Sequence, residues 1–388
     1  MLEELFIGFL SIGWKDIVMI LVGLLLIFLA IKKQYEPMLL LPIGFGAILV
    51  NLPLRVAFEH AGQPGFLKIL FDAGIATELF PVLIFIAVGA MCDFGPMFKM
   101  PVMMFFGAAA QLGIFLTIIA ALLVSKWFPG LGLNFGLAEA ATIGIIGAAD
   151  GPTSIYVANK LAPSILGPIS VAAYSYMSLV PLIQPPIIRL LTSKKERTIK
   201  MKVEEQDIPK SLRIAFPILV TIISGFVAPM GVPLIGSLMF GNLIRECGVL
   251  EKLSIAAQNE LANIVTLLLG ITIGASMRSE DFIQWTTIII LILGLIAFVF
   301  DTAGGVLFAK FLNLFRKEGN KINPMIGAAG ISAFPMSARV VQKIATEEDG
   351  ETFVIMQAVS ANVSGQLGSV MAGGIILVLV PILLGGAL

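Results

Sequence analysis

Long apolar runs, recurring from one end of the sequence to the other, limit what this chain can fold into more than any other feature. Segments 17–34, 37–52, 102–125, 163–191, 213–230, 233–244, 285–314 and 352–386 are predominantly apolar. A helix needs about 20 such residues to cross a hydrocarbon layer about 30 Å thick, and fewer where it is broken. Shorter or interrupted runs occupy 79–92, 138–162, 263–277 and 324–346. A soluble arrangement would need a polar surface, yet Asp, Glu, Lys and Arg make up only 13% of the residues, against about 25% in ordinary soluble domains. The expected fold class is an all-α polytopic membrane protein. Basic and acidic residues balance at 25 each, so no net field attracts nucleic acid and none is expected as a partner. One histidine, His60, and two cysteines, Cys92 and Cys247, give little basis for a His or thiolate metal cage or a disulfide framework.

Met1 to Lys15 is too short and too acidic for a cleaved signal peptide and reads as an interfacial segment before the first span. The one long polar stretch, Ser193 to Arg213, begins with Lys194, Lys195, Arg197, Lys200 and Lys202 against a single Glu196. The positive-inside rule places this loop, 193–202, in the cytoplasm together with the Lys32–Lys33 turn, in a multi-pass protein of the inner (plasma) membrane. The expected organisation is 1–36 (interfacial segment and first span), 37–192 (repeat 1), 193–212 (basic linker) and 213–388 (repeat 2 with its leading span).

The two repeats are visible in the sequence. Gly144 and Gly147, followed by Pro152, Ser154, Val157, Lys160 and Ala162, match Gly327 and Gly330, followed by Pro335, Ser337, Val340, Lys343 and Ala345. The offset is constant, since 335 − 152 and 343 − 160 both give 183. Weaker matches, Ile86–Ala90 with Ile271–Ala275 and Pro42–Gly44 with Leu234–Gly236, keep the same order. Residues 37–191 hold five hydrophobic elements, and five crossings would leave the basic linker outside. If the element around Asp150 is re-entrant, four crossings return the linker to the cytoplasm and the second repeat is inverted. Two inverted repeats of about five hydrophobic elements each, with Gly/Pro-broken half-helices crossing at the midplane, are the architecture of ion-coupled transporters.

The breaks carry the candidate chemistry. Between Gly147 and Ser154 lie a carboxylate, Asp150, a Gly151-Pro152 break and the hydroxyls of Thr153 and Ser154. Freed carbonyls at membrane depth survive where they line a cavity. A hard cation such as Na⁺ suits carbonyl, hydroxyl and carboxylate oxygens, with Asp150 as the charge and Thr153 and Ser154 as neutral ligands. The alternative is a proline kink whose Asp caps the following half-helix. The second break, Asn323 to Pro335, has no acid; Asn323 and Ser332 offer neutral oxygens, so one charged site shared by both halves is expected. Arg339 can hold a carboxylate bidentately or snorkel, whereas Lys160 and Lys343 are expected to snorkel or to neutralise helix C-termini. Asn362 and Gln366 share a helix face opposite a break, and Tyr174, Ser175, Tyr176 and Ser178 lie along the corresponding span. Asp301 is a second carboxylate at membrane depth, open to structural pairing or to ion relay.

Taken together, Gly147–Ser154, Asn323–Gly330 with Ser332, and Ser360–Gly365 resemble the β subunit of the biotin-dependent, sodium-pumping decarboxylases, over essentially the whole chain. The resemblance implies decarboxylation of carboxybiotin coupled to Na⁺ export, with a proton from the far side consumed as CO₂ leaves. It implies Asp150, Tyr176, Asn323, Gly327, Ser332, Arg339 and Asn362 as functional residues. Asp150, Tyr176 and Arg339 would be catalytic, with Tyr176 and Arg339 holding carboxybiotin. Asp150, Thr153, Ser154, Asn323, Gly327, Ser332 and Asn362 would form the Na⁺ site. Its partners would be a biotin carrier subunit, a carboxyltransferase α subunit and a small membrane γ/δ subunit, in an oligomeric assembly within the lipid bilayer. The length leans toward the glutaconyl-CoA or methylmalonyl-CoA type. Lys99-Met100 and Lys200-Met201 lack the preceding Ala-Met of a biotin-attachment sequence, so biotin is expected on another chain. No Gly-rich phosphate loop is present, which argues against ATP as the energy source. A stand-alone Na⁺-coupled secondary transporter or Na⁺/H⁺ exchanger would share the repeats and the acid, whereas a passive anchor would have no use for costly intramembrane polar groups.

Overall fold

A computed structural model describes residues 8, 11–128, 133, 135–201 and 207–386. Most of the expected interfacial segment, and Lys202 of the linker, lie outside the described residues. The helices that carry the fold are α1 (Trp14–Lys33), α2 (Pro37–Val50), α3 (Leu79–Met91), α4 (Met104–Ala110), α5 (Leu112–Trp127), α6 (Leu137–Gly144), α7 (Gly151–Leu161), α8 (Leu166–Ser178), α9 (Val180–Leu191), α10 (Lys210–Val227), α11 (Val232–Cys247), α12 (Ala262–Ala275), α13 (Trp285–Asn313), α14 (Met336–Glu348) and α15 (Ile355–Leu383). Strand structure among the described residues is confined to the pairing of Glu59–His60 with Gln63–Pro64. Among the described residues, six helices are long and apolar enough to cross a membrane, or up to eight if each sharply bent pair forms one span. The chain is an all-α polytopic membrane protein.

Its outer surface agrees. Leu21, Leu24, Leu25 and Phe28 of α1, and Ile222, Ile223 and Phe226 of α10, are exposed large apolar residues; such bands suit acyl chains. Apolar burial drives little association in lipid, so helices are held by close van der Waals contact at small residues. A Cβ on Gly46 of α2 would lie 2.3 Å from the Ile271 carbonyl of α12, and one on Gly89 of α3 would lie 1.9 Å from the Leu238 carbonyl of α11. Only glycine permits such backbone approach.

The run 163–191, which reads as one span, bends by 67° between α8 and α9. Pro181, in the first turn of α9, lacks the N–H that would continue the ladder from α8.

The runs 138–162 and 324–346 each fold into a broken helical hairpin. In the first, α6 passes through a 3-10 turn, Ile145–Ala148, to left-handed Ala149 and extended Asp150 before α7 begins. Lys160 and Asn159 at the end of α7 bind Glu78 Oε1 at 3.0 Å, just ahead of α3. From there α3 runs to Met91, whose carbonyl accepts from Arg245 at 2.7 Å beside Arg213, on the face that carries the linker. The first hairpin thus opens on the opposite face. In the second hairpin the first arm is a 3-10 helix, Pro324–Gly330, followed by extended Ile331, a cis Phe334–Pro335 bond and α14. Asn323 Nδ2 donates to the Arg197 carbonyl at 2.8 Å, and Arg197 Nε pairs with Glu348 Oε1 at 3.0 Å. Both ends of this hairpin therefore sit at the linker. The tips meet, with the Ser332 N–H donating to the Ala148 carbonyl at 2.9 Å. Apolar clusters pack around each hairpin, with Ile143, Ile146 and Ile155 in one and Ile326, Ile331 and Val341 in the other.

Candidate functional site

Asp150 is the N-cap of α7, and the sequence explains why: Gly151-Pro152 stops the preceding turn, and the freed N–H of Thr153 turns to the carboxylate at 3.3 Å. The capping alternative is realised, but it does not exhaust the side chain. Thr153 Oγ1 lies 2.7 Å from Asp150 Oδ2, Ser369 Oγ of α15 lies 2.7 Å from the same oxygen, and Ser332 Oγ at the tip of the second hairpin lies 3.2 Å away. The carboxylate is only 3% exposed, and among the described residues no Lys or Arg pairs with it.

The cluster holds more oxygen than protons can serve. Ser332 Oγ also lies 2.8 Å from Gln366 Oε1, and Ser369 Oγ lies 2.9 Å from Ser332 Oγ and 3.0 Å from the Gln366 carbonyl. Each hydroxyl has one proton to donate, so these contacts cannot all be hydrogen bonds at once. A small cation satisfies such a surplus of oxygen. Among the described residues there is no group of three or more His, Cys, Asp or Glu, so one carboxylate with neutral oxygens matches a monovalent ion better than a divalent one.

The remaining sequence-predicted residues divide. The structure brings Asp150, Thr153 and Ser332 together. Asn362 lies one step away, its Nδ2 donating to the Ile331 carbonyl at 2.7 Å while its buried Oδ1 has no partner among the described residues. Ser154 turns its hydroxyl to the Asp150 main-chain carbonyl at 2.8 Å, not to the carboxylate. Asn323 sits at the linker, with Nδ2 on the Arg197 and Ile199 carbonyls and Oδ1 accepting from Met325 N. Gly327 packs backbone to backbone on α13, where its Cβ would fall 2.0 Å from the Gly305 carbonyl. Tyr176 donates its hydroxyl to the Leu291 carbonyl of α13.

A cavity of about 330 Å³ runs from Asp150, Ser332 and Gln366, past Tyr174, to Arg339 and Glu36. Arg339 is exposed in the first turn of α14 and Glu36 is half-buried ahead of α2. Burial pushes the Glu36 carboxyl above its ordinary range, against the downward pull of the Arg339 guanidinium. Tyr174, rather than Tyr176, lines this cavity. Its ring packs on Gly151, where a Cβ would lie 2.3 Å from ring carbons, and its buried hydroxyl has no partner among the described residues.

Sequence reasoning did not single out Ser369, one turn beyond Gln366. It missed Gln184, an isolated amide in an apolar run. Gln184 Nε2 donates to the Ala328 carbonyl at 2.8 Å, and Gln184 Oε1 accepts from Ser337 at 2.9 Å, which pins the second hairpin from α9. Asp301 is paired on one side only: Oδ1 accepts from Ile114 N at 3.1 Å at the break between α4 and α5, whereas Oδ2 has no partner among the described residues. Lys160 forms the ion pair with Glu78, Lys343 is exposed, and so is His60.

Comparison with known proteins places this geometry in context. The family described as "Na+-transporting oxaloacetate decarboxylase beta subunit" matches residues 15–380. The glutaconyl-CoA decarboxylase subunit beta of Acidaminococcus fermentans is 48% identical over 373 residues, covering 96% of this chain and 95% of the relative. The methylmalonyl-CoA decarboxylase subunit beta of Veillonella parvula is 48% identical over 370 residues, covering 95% and 94%. A probable oxaloacetate decarboxylase beta chain of Vibrio cholerae is 43% identical over 424 residues, covering 95% and 96%.

Proposed function

This chain belongs to the family of Na⁺-transporting decarboxylase β subunits, and from that premise we propose that it decarboxylates carboxybiotin presented by a partner subunit and couples this to Na⁺ export. The observation that carries the reading is the oxygen-rich cluster around Asp150, at the meeting point of two hairpins that open on opposite faces. Na⁺ binds there through Asp150 with Thr153, Ser332 and Ser369, and with Gln366 and Asn362 beside them. Ser154, Asn323 and Gly327 shape and hold the loops. Carboxybiotin enters the cavity from the linker face, its carboxylate on Arg339, with Tyr174 of α8 along the wall. Its N–CO₂⁻ bond breaks as a proton reaches the ureido nitrogen, releasing CO₂ and leaving N–H. Na⁺ and H⁺ compete for Asp150, the one carboxylate in the cluster.

The linker face carries Lys32, Lys33, Lys194, Lys195, Arg197 and Lys200, which supports a cytoplasmic placement in the cell's inner membrane. We assign the repeats to 37–192 and 213–388, related by inversion. Reciprocal packing supports this. With the leading span α10 set aside, the first helix of each repeat meets the second of the other, α2 on α12 and α11 on α3, and a Cβ on Gly144 would strike the Ile114 carbonyl as one on Gly327 would strike that of Gly305. As a β subunit the chain works with partner subunits; a biotin carrier, a carboxyltransferase α chain and a small γ/δ membrane chain are the set proposed. The higher identity to the two acyl-CoA decarboxylase subunits favours an acyl-CoA substrate for the holoenzyme.

The test is ²²Na⁺ uptake into proteoliposomes holding the purified complex. Avidin, by sequestering biotin, is expected to stop uptake and decarboxylation together. Uptake that ignores avidin would instead identify a stand-alone transporter.

A further inference from the structure

We infer that Arg197 is a positioning residue for the Na⁺ site, and that the basic linker is a strap gripping the second hairpin at both of its ends. The inference rests on the Asp150–Ser332 reading above. Arg197 leaves the membrane on the short helix Lys194–Arg197, yet its side chain is only 12% exposed. Its guanidinium pairs with Glu348 Oε1 at 3.0 Å and donates to the Thr192 carbonyl. Glu348 is itself 10% exposed and closes α14, the outgoing arm of the hairpin. The main chain of the same residue holds the incoming arm, because the Arg197 carbonyl accepts from Asn323 Nδ2 at 2.8 Å and the Ile199 carbonyl accepts from it at 3.1 Å. On either side Arg189 binds Glu347 and Glu348 at 2.8 and 3.1 Å, and Lys200 binds Glu351 at 2.6 Å.

One residue outside the bilayer thus fixes the start and the end of a hairpin whose tip, Ser332, contacts Asp150. The ties inside the bilayer, from Gln184, Asn362 and Gln366, are uncharged hydrogen bonds. The strap adds charge-assisted ones, which are stronger. It also lies between the two halves on the face where carboxybiotin arrives, so whatever shifts the linker shifts the hairpin. In this arrangement Asn323 serves the site as a latch that ties the hairpin's base to the linker.

Releasing the strap lets the tip leave Asp150, so the Na⁺-competent arrangement is populated less and the apparent affinity falls by that fraction, while turnover at saturation is preserved. Na⁺-dependent decarboxylation by the purified complex, with free carboxybiotin, reads this out. Arg197→Ala is expected to raise the Na⁺ half-saturation about tenfold with kcat at saturating Na⁺ within about twofold of the parent. Glu348→Gln keeps a hydrogen bond but not the charge, and is expected to raise it about threefold. In parallel, trypsin cleavage after Lys200 is expected to quicken in Arg197→Ala. Na⁺ should slow that cleavage in the parent but not in Asp150→Asn. If both strap variants leave half-saturation and cleavage unchanged while Asp150→Asn abolishes Na⁺ dependence, the strap is refuted and the Na⁺ site stands. If Asp150→Asn keeps the parent's Na⁺ dependence, the site reading falls and the strap's role with it.

Discussion

Ser369→Ala is the most discriminating perturbation of the cluster, because the hydroxyl it removes comes from α15 rather than from either hairpin. Ser369 Oγ lies 2.7 Å from Asp150 Oδ2, 2.9 Å from Ser332 Oγ and 3.0 Å from the Gln366 carbonyl, and Ser369 is wholly buried. A hydrogen bond to a charged group contributes about 1.5–3 kcal/mol net, or roughly 10- to 150-fold at 1.4 kcal/mol per decade. The lower end applies here, since the hydroxyls of Thr153 and Ser332 remain within reach of the same oxygen. Ser369→Ala is therefore expected to raise the Na⁺ half-saturation of carboxybiotin decarboxylation about tenfold. Ser154→Ala removes only a back-bond to the Asp150 main-chain carbonyl and should move it by no more than about fivefold, in keeping with the roughly 1 kcal/mol of a neutral hydrogen bond. A series in which Ser154→Ala impairs Na⁺ use and Ser369→Ala does not would refute the assignment of oxygens to the ion.

Three further outcomes follow from separate parts of the structure. Gly327→Ala sets a Cβ 2.0 Å from the Gly305 carbonyl; forcing the hairpin off α13 should cost about 1–3 kcal/mol or more, seen as a lower melting temperature in detergent. Arg339→Ala should raise the KM for carboxybiotin about tenfold while leaving Na⁺ half-saturation alone, with Arg339→Lys recovering only part because the planar fork is lost. Burial raises Glu36 above its unfolded value against the pull of Arg339, so its contribution to stability is present at low pH and is lost as pH rises through the folded value. Glu36→Gln should then melt higher than the parent at neutral pH and together with it near pH 4; an unchanged difference across that range would contradict this.

Much of this arrangement could be read from the sequence, for physical reasons. Charge is so scarce that spans declare themselves, and Gly151-Pro152 and Phe334-Pro335 mark breaks because proline cannot continue a helix. The constant offset between the breaks led to the paired hairpins, and a carboxylate beside a break marked Asp150. What stayed hidden depends on contacts between distant positions. Ser369 reaches Asp150 across 219 residues and Gln184 reaches Ala328 across 144, and no local pattern encodes either pairing. Asn323 and Ser154 were legible as oxygens near breaks, but the direction each side chain takes is set by competition with nearby main-chain carbonyls. Tyr174 and Tyr176 are two positions apart on α8, so they face different neighbours, and only the packing on Gly151 and α13 tells them apart. The bend after Ser178 had a local cause in Pro181 that apolarity alone concealed.

The central claim is that a single buried carboxylate, at the junction of two hairpins, holds the transported ion. Equilibrium binding of ²²Na⁺ to the purified complex tests it most directly, with Asp150→Asn as the variant because it preserves shape and removes only the charge. Saturable binding in the parent that disappears in Asp150→Asn is the predicted result. Parent-like binding by the variant would contradict the account.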